Sequence, residues 1–156
     1  MNIRRAEERD IERIGDLLLQ VCQMHAEGRP DLFRAGGRKY TADDLKAMLA
    51  DDERPIFVAE DDNLGIAGYV FCQHVRHVGS PSLTDIHTLY IDDLCVDERA
   101  RGRHVGTELY AFVLAYARDC GCHNVTLNVW AENKGARAFY ESLGLSVQKI
   151  GLEQVL

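Results

Sequence analysis

The sequence lacks both a hydrophobic run long enough to cross a membrane and an excess of basic charge. No apolar segment approaches the roughly 18 to 20 residues that span a bilayer, and no hydrophobic stretch follows the first five residues, so we expect no signal peptide. The 18 lysines and arginines are outnumbered by 25 aspartates and glutamates, which gives a formal net charge of -7. Nucleic-acid-binding proteins usually carry the opposite excess. We therefore expect neither a membrane nor a nucleic-acid partner.

Paired cysteine motifs are also absent. The five cysteines are an odd number without a Cys-x-x-Cys pair, at Cys22, Cys72, Cys95, Cys120 and Cys122. This scatter favours reduced thiols in a cytoplasmic protein and argues against a disulfide scaffold or a zinc site. His74 and His77 stand three residues apart near a predicted strand end, and no further ligand accompanies them. We therefore expect no metal.

No repeat, low-complexity tract or Pro/Gly/Ser-rich linker divides the 156 residues, so we predict a single domain over residues 1–156. Hydrophobic residues make up 46% and charged residues 28% of the chain, which is typical of a globular protein. The sequence contains neither the Gly-Lys-Ser/Thr ending of a Walker loop nor the Gly-x-Gly-x-x-Gly dinucleotide fingerprint. Those two nucleotide-binding folds are therefore excluded.

The periodicity of apolar residues predicts a mixed α/β fold. The predicted strands lie around Ile3 and over residues 56–60, 66–73, 83–96 and 125–129. The first predicted helix ends near His25, a capping box of Thr41 and Asp44 opens the second, and two more span residues 105–120 and about 133–143. A final extended segment reaches residue 156. This order indicates a largely antiparallel sheet with a strand-helix-strand-helix crossover in its second half.

A basic turn that contains glycine precedes the third predicted helix and reads Arg101-Gly102-Arg103-His104-Val105-Gly106. Unpaired backbone N–H groups and the positive end of a helix dipole suit a pyrophosphate. Arg99, Arg101 and Arg103 can add charge-assisted contacts to phosphate oxygens. A helix cap with solvated arginines accounts for the same residues, so both interpretations stay open.

Asp92 and Asp93 interrupt an otherwise apolar predicted strand. Carboxylates are costly to desolvate, so at least one should face a wet cavity, where it is a candidate for acid–base chemistry. Neighbours on a strand point to opposite faces unless a bulge intervenes, so only one should face a given site. The alternative is a surface position, or a pair satisfied by arginines.

The segment 127–144 runs from a strand through a turn into a helix. Asn133 is well placed to cap that helix. Tyr140 is as consistent with a core or interface tyrosine as with a catalytic acid, and we predict a packing role for Trp130.

These three segments, in this order, resemble the acetyl-CoA-dependent N-acetyltransferases of the GNAT family. The resemblance covers residues 90–144 and rests on the basic turn, the strand before it and the pattern Asn133, Ala136, Phe139, Tyr140 and Gly144. It implies a mostly antiparallel central sheet of six or seven strands, flanked by about four helices, with splayed central strands. It also implies acetyl-CoA as co-substrate.

The resemblance implies roles for individual residues. The turn and the start of the helix would hold the CoA pyrophosphate through Arg101, Gly102, Arg103, His104, Val105, Gly106 and Thr107. His104 replaces the usual first glycine of this turn, although histidine is among the residues that adopt positive φ. Pantetheine would run along the main chain of Leu94, Cys95 and Val96 and contact Asn133.

Tyr140 matches the frequent general acid of the family, and Asp92 stands where relatives that acetylate polyamines often carry a glutamate base. Asp92 is our first candidate for the base and Asp93 the second. In family members the segment after the first helix, here residues 25–40, borders the acceptor site. Phe33 and Tyr40 are therefore candidates for its lining, and packing in the core is the alternative.

The sequence thus predicts a cytoplasmic enzyme in which a primary amine attacks the thioester of acetyl-CoA directly. Acidity and the aspartate pair favour a small cationic amine. A protein N-terminus or lysine, a non-catalytic acyl-CoA sensor and a ligand-free interaction domain are alternatives. A homodimer is possible.

Overall fold

The computed structural model describes residues 1–156 and contains four α-helices around one five-stranded sheet. The helices are α1 (Ile11–Gly28), α2 (Ala42–Leu49), α3 (Val105–Asp119) and α4 (Lys134–Ser142). The strands are β1 (Asn2–Arg5), β2 (Ile56–Asp61), β3 (Gly65–Val75), β4 (Thr88–Val96) and β5 (Asn124–Leu127). None of the helices is both long and apolar enough to cross a bilayer. The predicted mixed α/β class is confirmed.

The five strands lie side by side in chain order. Pairing is antiparallel from β1 to β4 and parallel between β4 and β5, and α3 supplies the crossover that a parallel pair requires. The sheet has five strands instead of the expected six or seven, because the extended segment 145–156 forms no ladder. The fourth strand begins at Thr88 rather than near residue 83, since β3 and β5 offer no partner before that point.

Helices cover both faces of the sheet, so its central strands are buried on both sides. On one face, α1 and α2 pack against β2 and β3 through a cluster that includes Ile14, Leu17, Leu18, Leu45, Met48, Val58, Tyr69 and Phe71. On the other face, α3 packs through Val105, Leu109, Val113 and Ala117. Each helix therefore contributes the apolar face that its sequence periodicity predicts.

The helix ends follow local chemistry. The Thr41 hydroxyl accepts from the Asp44 amide at 3.1 Å and the Asp44 carboxylate accepts from the Thr41 amide at 2.9 Å, which confirms the predicted capping box. Gly121 follows α3 with a φ of 72°, the left-handed conformation that ends many helices. α1 continues to Gly28, one turn beyond the predicted end near His25.

Candidate active site

A β-bulge in β4 brings both aspartates to the same face of the sheet. Phe71 of β3 pairs with Asp93 and the next residue, Cys72, pairs with Ile91, so Asp92 is the extra residue. Before the bulge, Ile91 faces α3, whereas after it Cys95 faces α1. Both carboxylates therefore line one cleft on the α1 side. The expectation that only one carboxylate could face the site is wrong, because the bulge shifts the alternation of side chains by one residue.

Asp93 is the more deeply placed of the two carboxylates. Its Oδ2 accepts a hydrogen bond from the Tyr69 hydroxyl at 2.8 Å. Burial raises the pKa of Asp93, and the Tyr69 hydrogen bond only partly opposes that shift. Burial and the nearby Asp93 charge raise the pKa of Tyr69 well above its usual value, so Tyr69 stays a hydrogen-bond donor.

Asp92 is held by two side chains from the segment after α1. Lys39 Nζ lies 3.0 Å from Asp92 Oδ1 and 3.1 Å from its backbone oxygen. The Tyr40 hydroxyl donates to Asp92 Oδ2. Burial, followed by this hydrogen bond, raises the pKa of Tyr40. Asp92 is thus ion-paired with a lysine, not with an arginine as the alternative interpretation supposed.

The cleft forms because β4 and β5 separate. Their parallel pairing stops at Ile91 and Leu127, so Leu94, Cys95 and Val96 pair with β3 alone. The cleft has a volume of about 670 Å³ and is lined by both sides of this separation together with Asn133 and Tyr140. The Cys95 thiol is buried against α1, so only the main chain of that residue is available to a ligand in the gap. The predicted splay of the central strands is confirmed.

The start of α3 leaves backbone N–H groups without a helical partner. The first helical bond runs from the Glu108 amide to the His104 oxygen at 3.0 Å, so the amides of Val105, Gly106 and Thr107 precede the ladder. His104 has a φ of 62° and is the one residue other than glycine with positive φ. Histidine therefore adopts the left-handed conformation that usually favours glycine.

The three arginines in and near this turn differ in whether they form ion pairs. Arg103 pairs with Asp61 at 2.5 Å, and Arg99 pairs with Asp97 at 2.7 Å. The Arg99 hydrogen bond lowers the pKa of Asp97 to about 2. Arg101 is exposed and forms no ion pair, so it is the arginine of the turn left free for an anionic ligand.

Helix α4 carries Tyr140 to the cleft. The Asn133 side-chain oxygen accepts from the Ala136 amide at 3.1 Å, which confirms its predicted capping role. Tyr140 is partly buried, and its ring lies 6.3 Å from that of Tyr110. Burial, reinforced by Asp93, raises the pKa of Tyr140, so the hydroxyl keeps its proton at neutral pH.

Helix α4 also touches the start of α3. A Cβ on Gly106 would lie 3.1 Å from Cζ of Phe139. The glycine at this position therefore permits close packing between the basic turn and the residue next to Tyr140.

An aromatic wall closes one side of the cleft. The Phe33 ring stacks on His25 at 4.7 Å and meets the edge of Trp130 at 5.2 Å. Trp130 packs against Phe33, in agreement with its predicted packing role, while 47% of it stays exposed. Phe33 lines the cleft, whereas Tyr40 packs on Phe71 at 5.4 Å and reaches the cleft only through its bond to Asp92.

Three basic side chains, Arg34, Arg38 and Lys39, line the same side of the cleft. Nε of Arg38 donates to the Gly15 oxygen at 2.9 Å, which fixes it against α1. The segment 25–40 was expected to border the acceptor site, but its basic residues were not singled out, and Tyr69 was missed. The local charge of the segment 34–39 was the one available signal.

Comparison with known proteins assigns the chain to a family. The sequence model of the acetyltransferase (GNAT) family matches residues 6–145. An uncharacterized N-acetyltransferase of Methanocaldococcus jannaschii is 32% identical over 108 residues, which are 68% of this chain and 45% of the relative. A glucosamine 6-phosphate N-acetyltransferase of Arabidopsis thaliana is 34% identical over 65 residues, 42% of each chain. The matches thus span less than half the length of these two relatives.

Solved structures share the whole fold. The structure of a tetramutant of the BH1408 protein from Bacillus halodurans superposes with a TM-score of 0.95 at 29% identity and covers 100% of both chains. The agreement includes the sheet and the helices that position the cleft. By sequence over most of its length and by its fold, the chain belongs to the acetyltransferase (GNAT) family.

Proposed function

We propose that the protein transfers the acetyl group of acetyl-CoA to the primary amine of a small molecule. The observation that carries this proposal is the cleft between β4 and β5, because it gathers two carboxylates, a protonated tyrosine and unpaired strand edges in one place. The arrangement supplies a base, an acid and main-chain hydrogen bonds for a reaction at a thioester.

The residues present fit acetyl-CoA. The free amides of Val105, Gly106 and Thr107 and the side chain of Arg101 suit the diphosphate. Gly102 and the left-handed His104 shape the turn around them, and Arg103 anchors it to Asp61. The main chain of Leu94, Cys95 and Val96, with Asn133 opposite, suits the pantetheine arm, which would bond to the open edge of β4 as an added strand does. When bound, the thioester supplies an activated acetyl group.

Asp93 is our candidate for the general base. An alkylamine has a pKa near 10.4, so it must lose a proton before it can attack. Because burial raises the pKa of Asp93, this carboxylate is a better base at neutral pH than an exposed aspartate. Asp92 is committed to Lys39 and Tyr40, which supports a role in orienting the amine.

Tyr140 is our candidate for the general acid. Its protonated hydroxyl can give a proton to the departing thiolate, whose conjugate thiol has a pKa of roughly 8.5. Backbone N–H groups within residues 94–96 can stabilise the charge that develops on the carbonyl oxygen.

The basic side of the cleft supports an acceptor that carries an acidic group besides its amine. The aspartates would receive the amine, and Arg34 and Arg38 would receive a phosphate or carboxylate. The Arabidopsis relative is named for such an acceptor, glucosamine 6-phosphate. These features favour an acidic amine over the purely cationic amine that the overall acidity and the aspartate pair suggested.

A reducing compartment such as the cytoplasm suits the chain, since all five cysteines are free. The formal charge of -7 and the absence of a long apolar helix are compatible with that location.

A homodimer is the assembly we propose. The segment 145–156 exposes Val147, Ile150, Leu152, Val155 and Leu156, and its one ion pair to the rest of the chain joins Glu153 to Arg29. The outer edge of β5 is unpaired. Pairing of this segment with β5 of a second copy would bury both surfaces and restore a sixth strand.

Two measurements test the proposed reaction. Acetyl-CoA should raise the Tm, because a ligand that binds only the native state stabilises it. Release of free CoA thiol should then be measured across simple amines, amino acids and amino-sugar phosphates. Thiol release with an acidic amine supports the proposal, a raised Tm without thiol release would identify a sensor, and an unchanged Tm would identify a ligand-free domain.

The acceptor class has its own test. Arg34→Gln and Arg38→Gln should each raise the KM for an acidic amine roughly tenfold and leave the KM for a neutral analogue unchanged. Arg9→Gln, at an exposed position outside the cleft, is the matched control. Equal effects on both acceptors would contradict an anion-binding role.

Light scattering tests the dimer. The wild-type protein should have twice the monomer mass, and Ile150→Asp with Leu152→Asp should halve it. Gln148→Asp adds charge in the same segment without removing an apolar side chain, so it should stay dimeric. A monomeric wild type would refute the assembly.

A further inference from the structure

Three metal-ligating side chains meet at the end of the sheet remote from the aspartates. His74 lies near the end of β3, His87 directly precedes β4, and Cys122 lies in the turn between α3 and β5. All three are partly buried. The His123 amide donates to the His87 oxygen at 2.7 Å, which holds the turn against the start of β4. His87 precedes Asp92 by five positions on an extended chain, a distance of about 15 Å.

The three ligating atoms converge on one point. His74 Nδ1 lies 2.7 Å from His87 Nε2, and Cys122 Sγ lies 3.6 Å from the same nitrogen. All three atoms fall within 4.8 Å of one another. In a tetrahedral zinc site with Zn–N near 2.0 Å and Zn–S near 2.3 Å, ligand atoms stand roughly 3.3 to 3.6 Å apart. The Cys122–His87 distance already fits such a site, whereas the histidine pair must widen by about 0.6 Å and Cys122 must stay within about 3.6 Å of His74.

The surroundings of His74 also suit a metal ligand. Its second ring nitrogen, Nε2, lies 2.9 Å from the Tyr116 hydroxyl. A histidine that binds a metal through Nδ1 carries its proton on Nε2 and usually donates it to such a partner, which fixes the ring.

We propose that His74, His87 and Cys122 form a binding site for Zn²⁺ or a similar thiophilic divalent cation. Two imidazoles and one thiolate are a donor set that zinc prefers, and solvent water would complete the tetrahedron. Binding forms a metal–sulfur bond, and the proton of the Cys122 thiol passes to solvent. The ion would join β3, β4 and the α3–β5 turn, so its role is to stabilise the sheet end away from the cleft.

Cobalt is the probe for this site. The protein is first dialysed against a chelator, and Co²⁺ is then titrated and followed by the thiolate-to-cobalt charge-transfer band. One equivalent should produce the band, and Zn²⁺ should abolish it by displacement. Zn²⁺ at a hundredfold excess over Kd should raise the Tm by about 5 to 10 °C.

Variants localise the binding. Cys122→Ser should remove the charge-transfer band, and His87→Gln should weaken Co²⁺ binding at least tenfold. Cys120→Ser and His77→Gln are matched controls, because Cys120 is an exposed thiol two residues away and His77 is not among the clustered ligands. Both controls should bind as the wild type does.

The proposal fails if wild-type protein gives no charge-transfer band, or if Cys120→Ser loses it while Cys122→Ser keeps it. His87→Gln keeps the thiol, so it tests the site even if Cys122→Ser does not fold. Retention of full Co²⁺ affinity in His87→Gln would also overturn the proposal.

Discussion

The two ends of β4 differ in the number of strands that pair with them. From Thr88 to Ile91 the strand pairs with β3 on one side and β5 on the other. From the bulge to Val96 it pairs with β3 alone, and the separation from β5 opens the cleft. One strand thus supplies a fully paired end and an open end. The contrast teaches that here a single extra residue both redirects side chains and marks where a sheet parts.

The comparison predicts different consequences of substitution at each end. Substitutions at the open end should lower kcat with little loss of stability. Substitutions at the paired end should lower the free energy of unfolding and leave kcat unchanged. Four substitutions, ordered from the largest expected effect to the smallest, can break or sharpen this division.

Tyr140→Phe should have the largest effect. Loss of the proton donor should lower kcat about a hundredfold and leave the KM for acetyl-CoA nearly unchanged. Tyr110→Phe is the control, since its ring adjoins that of Tyr140 but lies on α3. Steady-state kinetics measure both constants. A similar loss in kcat and in acetyl-CoA affinity would show that Tyr140 only packs.

Asp93→Asn should lower kcat/KM about tenfold or more and remove the acidic limb of the pH profile. In the wild type the rate should fall as pH falls through the raised pKa of Asp93, because only the ionised carboxylate accepts a proton. Asp92→Asn should keep this limb. If Asp92→Asn removes it instead, the roles of the two aspartates are reversed.

The same substitution should raise the Tm at neutral pH. An acid whose pKa is raised on folding favours the folded state below its unfolded pKa, and this contribution is lost as pH rises through the folded pKa. At neutral pH the buried Asp93 charge therefore costs stability, and asparagine removes the cost. Calorimetry at neutral pH measures it, and a lower Tm would contradict the assignment.

Thr88→Val probes the paired end. The buried Thr88 hydroxyl donates to the Asn124 side-chain oxygen at 2.6 Å and so links β4 to β5. Its loss should reduce the free energy of unfolding by about 1 kcal/mol and leave kcat unchanged. Denaturant titration and kinetics check the two halves of this prediction. A tenfold loss of kcat would contradict the separation of catalytic and stabilising roles between the two ends of β4.

His104→Gly should have the smallest effect. A residue with a side chain costs about 1 kcal/mol at positive φ, and glycine removes this strain but gains freedom in the unfolded chain. We expect a stabilisation below 1 kcal/mol and unchanged affinity for CoA. Calorimetry with and without CoA measures both. A marked loss of CoA affinity would show that the imidazole itself contacts the ligand.

Much of the fold was predictable because its signals are local. The apolar periodicity of residues 105–120 and the Thr41–Asp44 capping box each depend on residues within a few positions. The resemblance to the GNAT family placed His104 at a position where glycine is usual, and its φ is indeed positive. The prediction that the fourth strand begins near residue 83 was wrong, because a strand needs a partner and strand pairing is not a local property.

The site was predictable only in part, for the same physical reason. Asp92, Asp93 and Tyr140 stood out as chemical types in a recognisable order. The contact of Asp92 with Tyr40 spans 52 positions, and the cluster of His74, His87 and Cys122 depends on strand register. A one-residue bulge reversed the expected direction of a carboxylate, and no composition rule specifies where a bulge falls.

The contact between Gly106 and Phe139 links the turn that would grip the diphosphate to the helix that carries Tyr140. No residue of α4 is fully buried, so this helix depends on a few such contacts for its position. A ligand that rigidifies the first turn of α3 would also restrain Tyr140, the proposed proton donor. From this contact we expect ordered binding. Acetyl-CoA should bind first, and the amine should bind second, once Tyr140 is held in place.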